Sequence, residues 1–244
     1  MSVAGPSQDA NYSPAGVASL TPRERWWLLV LLAAVVAVRL ATLGAYPLLD
    51  PTESRYAEIA RKMLETGDWL VPQVDYGVPF WGKPPLSTWL SAAAMAVFGV
   101  NEFAARLPSF LLLAGCGVLV HRMAALRAGA DVALWSLVLF ATTGLVFISA
   151  GAVMTDPALM FGTTLSMAGY WLALNGGASS RPFWGFAFFA GVAIGLLAKG
   201  PVAVVLTLLS IGAWTLWTRR WRDAWTHLPW LAGTLLCLAL TLPW

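Results

Sequence analysis

The chain has 244 residues, of which 59% are apolar and only 11% charged, and its mean hydropathy is +0.70. A soluble globular domain is excluded, because so few polar residues cannot cover a core of that size. The net charge of +3 is therefore read as an asymmetry between loops, with no implication of nucleic-acid binding. Cys116 and Cys237 both fall inside apolar runs, which excludes a disulfide framework and a Cys-based metal site.

In chain order, residues 1–25 form an N-terminal segment whose first 20 residues, rich in Ser, Pro, Ala and Gly, predict a disordered cytoplasmic tail. The membrane domain is expected over 26–244. Its first apolar span, 26–48, follows Arg23 and Arg25 and lacks a small-residue cleavage site, so it reads as a signal anchor. Arg39 inside that span costs roughly 2.5–3.5 kcal/mol on insertion scales. It must face the bundle or snorkel.

The external loop 49–106 that follows opens on a long hydrophilic stretch. Between Leu49 and Pro85 it holds six acids of the chain's twelve and four bases of its fifteen. Asp50-Pro51-Thr52-Glu53 matches a capping box with Pro at the first helical position. Tyr56, Ile59, Ala60, Met63 and Leu64 recur at helical spacing and Gly67 is placed to end the helix, predicting an amphipathic helix on the outer leaflet. A turn-rich, aromatic stretch, Gly67 to Pro85, leads to a second short helix over 86–98. Both helices are expected to lie beside the membrane.

Further spans are expected at 107–124, 132–150, 157–175, 183–198, 200–217 and 229–244, about seven in all, each near the length that crosses a ~30 Å hydrocarbon core. The segment 86–99 is shorter. If it lies on the surface, eight bases fall inside and six outside; if it spans, the count becomes four inside and ten outside, against the positive-inside rule. The surface placement is preferred, and the fold class is an all-α, polytopic helix bundle. It puts the long loop, Asp156 and Lys199 on one external face.

T-E-S-R-Y-A-E-I-A, G-D-W-L-V-P, F-W-G-K-P-P-L, A-A-R-L-P-S, M-T-D-P-A-L and L-A-K-G-P occur in this order and spacing. The set resembles the bacterial aminoarabinose transferase and protein-mannosyltransferase-like group of the C-type glycosyltransferase superfamily, over about residues 25–244. The resemblance implies transfer of a sugar from a polyprenyl-phosphate carrier to a lipid or protein acceptor, outside the bacterial cytoplasmic membrane. Such enzymes are typically about twice as long, so 26–244 is expected to be a truncated domain.

That chemistry needs a carboxylate to take the acceptor's proton and cations to meet the charge growing on the lipid phosphate. The resemblance implies an Asp-Glu pair after the first span, but here the aligned pair is Thr52-Glu53. Asp50 or Glu53 is then the candidate base, with Asp156 as a third carboxylate on the same face. Each has a structural alternative: Asp50 and Glu53 as helix-capping groups, Asp156-Pro157 as the cap and first residue of a span.

Donor-phosphate and substrate contacts are expected from Arg55, Tyr56, Lys83 and Lys199. Lys83 is favoured because W-G-K-P-P holds a cation between aromatics on a stiff backbone, whereas Lys199 could serve only the C-terminus of its helix. Arg39 is a further candidate for the carrier phosphate. In the arabinose-transferring branch an acid precedes the lysine and helps bind a metal; Gly82 stands there, so no metal site and no cofactor are predicted, with a divalent ion left open. Membrane lipids are the other expected partners. The competing class is a transporter or a non-catalytic lipid-binding component, for which ionisable groups near the midplane and repeated halves would be the signs.

Overall fold

The computed structural model describes residues 19–244. The expected disordered tail therefore lies almost wholly outside the described residues. The first helix, α1 (Pro22–Thr42), starts inside the segment assigned to the tail. Thr21 accepts the Glu24 amide while the Glu24 carboxylate reaches back to the Thr21 amide, a complete capping box that fixes the start before the apolar run begins.

The hydrophilic loop is folded. It contains α2 (Pro51–Thr66), a hairpin of β1 (Gln73–Asp75) and β2 (Val78–Pro79), and α3 (Leu86–Phe98). Asp50 Oδ1 accepts the amides of Thr52 and Glu53 at 2.7 and 3.2 Å, and Gly67, left-handed at φ 71°, ends α2. The expected capping box is only half made, since the Glu53 side chain turns inward instead of back to the cap. The stripe Tyr56, Ile59, Ala60 and Met63 packs against Ala92 and Met95 of α3 and against Ala104 and Ala105 of the next helix. So α2 is bound to protein on its apolar face. The hairpin was not expected; Gly77 at φ 74° makes its turn, and buried Lys62 ties it to α2 through Val74 O (2.8 Å) and Asp75 Oδ1 (3.2 Å).

Helix α4 (Glu102–Ala128) is capped by Asn101, so it begins five residues before the expected span. The apolar run 132–150 is divided into α5 (Ala130–Thr142) and α6 (Gly144–Ser149) by Thr143, which is extended at φ −61°, ψ 122°. The hydroxyls of Thr142 and Thr143 bond back to carbonyls one turn earlier, competing with the helix ladder where it breaks. Then follow α7 (Asp156–Asn175), α8 (Arg181–Lys199), α9 (Pro201–Trp217), α10 (Trp221–His227) and α11 (Trp230–Thr241).

The chain is a polytopic helix bundle of the membrane class. Among the described residues α1, α4 and α8 are long and apolar enough to cross a membrane alone, and α10 with α11, bent by 67°, makes a fourth if taken as one span. The seven expected apolar segments all fall on helices, but the break at Thr143 and the 17 residues of α9 depart from seven straight crossings.

Helices α7 and α8 pack backbone to backbone through small residues. A Cβ on Gly191 would lie 2.5 Å from Ser166 N, and one on Gly162 2.6 Å from Gly195 N. The G-x-x-x-G spacing at 191 and 195 serves this approach. Gly191→Val should therefore separate the pair, at a cost of roughly 1–3 kcal/mol for an overpacked site, seen as a lower apparent Tm in detergent; an unchanged Tm would contradict the packing described.

Candidate functional site

One buried arginine organises the corner where these elements meet. Arg106, in the second turn of α4 and 0% exposed, donates Nε and Nη2 to the two carboxylate oxygens of Glu53 at 2.8 and 2.9 Å. Its remaining N–H groups go to the carbonyls of Leu43, Tyr46 and Pro47 at 2.7–3.1 Å, and the guanidinium lies 4.0 Å over the Tyr46 ring. All five donors have acceptors, the condition under which a buried guanidinium is tolerated. Glu53 Oε1 also accepts the Val153 amide at 3.0 Å. The segments after α1, before α2, at the start of α4 and before α7 are thus joined through a single ion pair.

Three residues beyond Val153, Asp156 opens α7. It was read as a possible N-cap, but the cap position is Thr155 and no side chain caps this end. Asp156 Oδ1 instead accepts Lys199 Nζ at 2.7 Å, with the aspartate side chain 58% exposed and the lysine 23%. Gly200, at φ 68°, turns the chain from α8 into α9 directly after that lysine.

Tyr56 lies on the neighbouring helix α2, packed in the cluster that includes Val153. Burial pushes its phenol upward, the charge of Arg55 pulls it down and that of Asp156 raises it again, so both charges lie within electrostatic reach of the ring. Phe80 meets the Tyr56 ring edge-on at 6.1 Å between centroids. A Cβ on Gly82 would fall 2.8 Å from the Phe80 ring, so glycine at 82 leaves Phe80 its place. Lys83 follows, exposed, and has no hydrogen bond or ion pair among the described residues. The W-G-K-P-P loop therefore presents a cation that protein groups have not claimed.

Below Asp156 lies a cavity of about 800 Å³, bordered by Leu113, Val146, Ser149, Met160 and Leu206. It is mostly apolar, and the break at Thr143 contributes to its wall. Arg55 lines a different cavity, of about 660 Å³, between α2 and the α3–α4 turn. Asp50 keeps to its capping bonds with the Glu53 and Thr52 amides, which hold its carboxyl below the usual range. Its contribution to α2 is present above the ordinary carboxylate range and fades as pH falls through that lowered value. Arg39 faces the bundle: it is buried, donates to Ile148 O at 3.0 Å and lies over the Phe147 ring.

Arg106 closes the expected loop 49–106 in the sequence, whereas the structure buries it in α4. The available signal was its setting, A-A-R-L-P-S, where small residues before it and an apolar run after it leave no solvated face for the guanidinium. No three His, Cys, Asp or Glu side chains gather as a metal-holding group among the described residues, and Gly82 supplies no donor.

A helix bundle of the membrane, with a charged corner where two interhelical segments and a helix end converge over an apolar cavity, defines the class. Residues 25–244 match the model of the dolichyl-phosphate-mannose-protein mannosyltransferase family, and the chain belongs to that family. It is 34% identical over 231 residues to the undecaprenyl phosphate-alpha-4-amino-4-deoxy-L-arabinose arabinosyl transferase of Pseudomonas aeruginosa strain UCBPP-PA14, covering 92% of this chain and 40% of that one. A relative of the same description in Pseudomonas fluorescens strain Pf0-1 is 30% identical, with 91% and 40% covered. The fold superposes on the crystal structure of ArnT from Cupriavidus metallidurans in the apo state, with TM-score 0.83, 26% identity, and 90% of this chain and 41% of that one covered. The same enzyme bound to undecaprenyl phosphate gives TM-score 0.78 and 28% identity, with 90% and 40% covered. The chain thus spans about 40% of the length of the curated relatives it matches.

Proposed function

We propose that this chain belongs to a glycosyltransferase that takes a sugar from a polyprenyl-phosphate carrier and places it on a lipid or protein acceptor at the periplasmic face of a bacterial inner membrane. The observation that carries the reading is the Asp156–Lys199 pair at 2.7 Å at the edge of the mostly apolar cavity of about 800 Å³. The likeness to a structure holding undecaprenyl phosphate supports the donor class.

The roles follow from placement. The carrier's isoprenoid chain occupies the apolar cavity, and its phosphate is met by Lys83 and Lys199 at headgroup depth. Asp156 takes the proton of the acceptor hydroxyl as the new C–O bond forms. The bond from the sugar to the carrier phosphate breaks with its electron pair, and the lysines stabilise the charge that the phosphate gains. Asp156, more than half exposed beside Lys199, is preferred over Asp50, whose Oδ1 is engaged by the Thr52 and Glu53 amides in capping α2, and over Glu53, which is committed to Arg106. Glu53 and Arg106 are positioning residues that hold the segment before α7 in place through the Val153 amide.

Charge-assisted contacts to phosphate contribute about 1.5–3 kcal/mol. Lys83→Met in the full chain should accordingly weaken binding of polyprenyl phosphate by roughly one to two orders of magnitude. An unchanged affinity in folded protein would remove Lys83 from the site. A second reading, a relative that holds the lipid phosphate without turnover, is favoured by Thr52 at the position of the family's acid. Tight donor binding with no transfer to any acceptor by the full chain would decide for it.

A further inference from the structure

We infer that the groove of about 320 Å³ between α1, α4 and α5 is a fatty-acid site, with the carboxylate of one straight-chain acid at Arg39 and its hydrocarbon tail along the helices. Leu32 and Val36 of α1, Ala114 and Val118 of α4, and Leu137 and Ala141 of α5 line it, and Arg39 is the one polar side chain among the described residues of its wall. That arginine is only partly satisfied. Nη2 donates to Ile148 O at 3.0 Å and lies 3.5 Å from the Tyr46 hydroxyl, the guanidinium covers the Phe147 ring, and Nε is buried with no hydrogen-bond partner among the described residues. The residue is 8% exposed, and no described carboxylate pairs with it. Gly151 leaves room for the guanidinium, whose place any larger side chain would take. A buried cation left in this state is costly, and the partner that relieves it is an anion delivered through the groove.

Depth selects the class of anion. The 21 residues of α1 rise ~31 Å, which matches the ~30 Å hydrocarbon core, and Arg39 lies in the last turn, ~4.5 Å inside the end at Thr42. The contacts with Ile148 O and the Phe147 ring hold the guanidinium at that level instead of letting it reach outward. Phospholipid phosphates lie outside the hydrocarbon, in the polar layer, whereas the head of a free fatty acid can settle at the boundary itself. Charge points the same way. A phosphate monoester carries about −1.5 to −2 at neutral pH, which a single arginine leaves partly uncompensated in an apolar wall. A carboxylate carries one charge and accepts paired guanidinium N–H groups. From Arg39 the groove runs along α1 to Leu32, two turns or about 10 Å, with walls suited to hydrocarbon. The site goes beyond the transfer reading. Asp156, Lys199 and Lys83 take no part in it, and Arg39 does not border the cavity of about 800 Å³, although Leu113, Phe140 and Val146 are common to both walls.

The test is competition binding of radiolabelled oleate to the full chain in phosphatidylcholine discs, with unlabelled oleate, oleyl alcohol and undecaprenyl phosphate as competitors. Oleate should displace the label about tenfold or more effectively than oleyl alcohol, which has the same chain and no charge. Arg39→Met removes the buried charge at the loss of one backbone contact, and it should weaken oleate about tenfold or more, to the level of the alcohol. Ala114→Phe, at an exposed position of the groove, should weaken oleate and the alcohol alike. It should leave polyprenyl phosphate affinity at its original value, so this result is independent of the donor reading. If Arg39→Met fails to fold, the alcohol comparison and Ala114→Phe decide alone. No saturable oleate binding, oleyl alcohol competing as well as oleate, or unchanged oleate affinity in either folded variant would each overturn the inference. Undecaprenyl phosphate displacing the label as effectively as oleate itself would also overturn it and give the groove to the carrier.

Discussion

Arg106→Leu is expected to remove most of the folded protein. The substitution leaves Glu53 charged and buried with only the Val153 amide, and it also strips the carbonyls of Leu43, Tyr46 and Pro47 of their donor. Breaking one side of a buried ion pair costs about 3–5 kcal/mol, against a total stability of about 5–15 kcal/mol for a typical domain. The readout is the monodisperse fraction and apparent Tm in detergent. Arg106→Leu with Glu53→Leu should recover part of the loss, because no unpaired charge then remains. A single variant with wild-type Tm, or a double variant less stable than the single by the full cost of a second independent change, would contradict the description of this pair.

Asp156→Asn should lower sugar transfer by the full chain by about 10²–10⁴-fold, the usual cost of losing a general base, while donor binding and Tm stay near their original values. Asparagine keeps an oxygen for Lys199 Nζ, so the local contact survives and only the proton acceptor is lost. Asp50→Asn is the control. It retains the acceptor oxygen that caps α2, and it should transfer within a few-fold of wild type. The reverse pattern, with Asp50→Asn inactive and Asp156→Asn active, would move the base to the end of the first span.

The helices around this site were legible where local rules act alone. Pro51, the stripe from Tyr56 to Met63 and Gly67 marked α2, and Pro84-Pro85 with Gly99 marked α3. The membrane class followed from composition. What stayed hidden depended on partners distant in sequence. Glu53 looked like half of a capping box because nothing local announces Arg106, 53 positions away. Asp156 is a candidate base in the sequence, with a cap as the alternative, and Lys199, 43 positions on, is expected on the same face, but nothing local announces that the two touch. The break at Thr143 was missed for a different reason: two threonines in an apolar run are compatible with a straight span, and only their back-bonding hydroxyls show the helix ending there. Lys62 is one of the four bases of the hydrophilic stretch, and its burial under the hairpin makes it structural.

The central claim is that a polyprenyl phosphate lies with its head at Asp156 and Lys199 and its chain in the cavity below. Photo-crosslinking tests it directly, using the full chain in native-like membrane discs and a polyprenyl phosphate with a photoreactive group near the phosphate end of the chain. Peptide mapping should place the adducts within Met154–Thr163 and at Leu206, where the cavity is lined, and unlabelled polyprenyl phosphate should compete them away. Competed adducts confined to the groove of Leu32, Val36, Leu137 and Ala141 on the α1–α5 side, or no competed adduct at all, would contradict it.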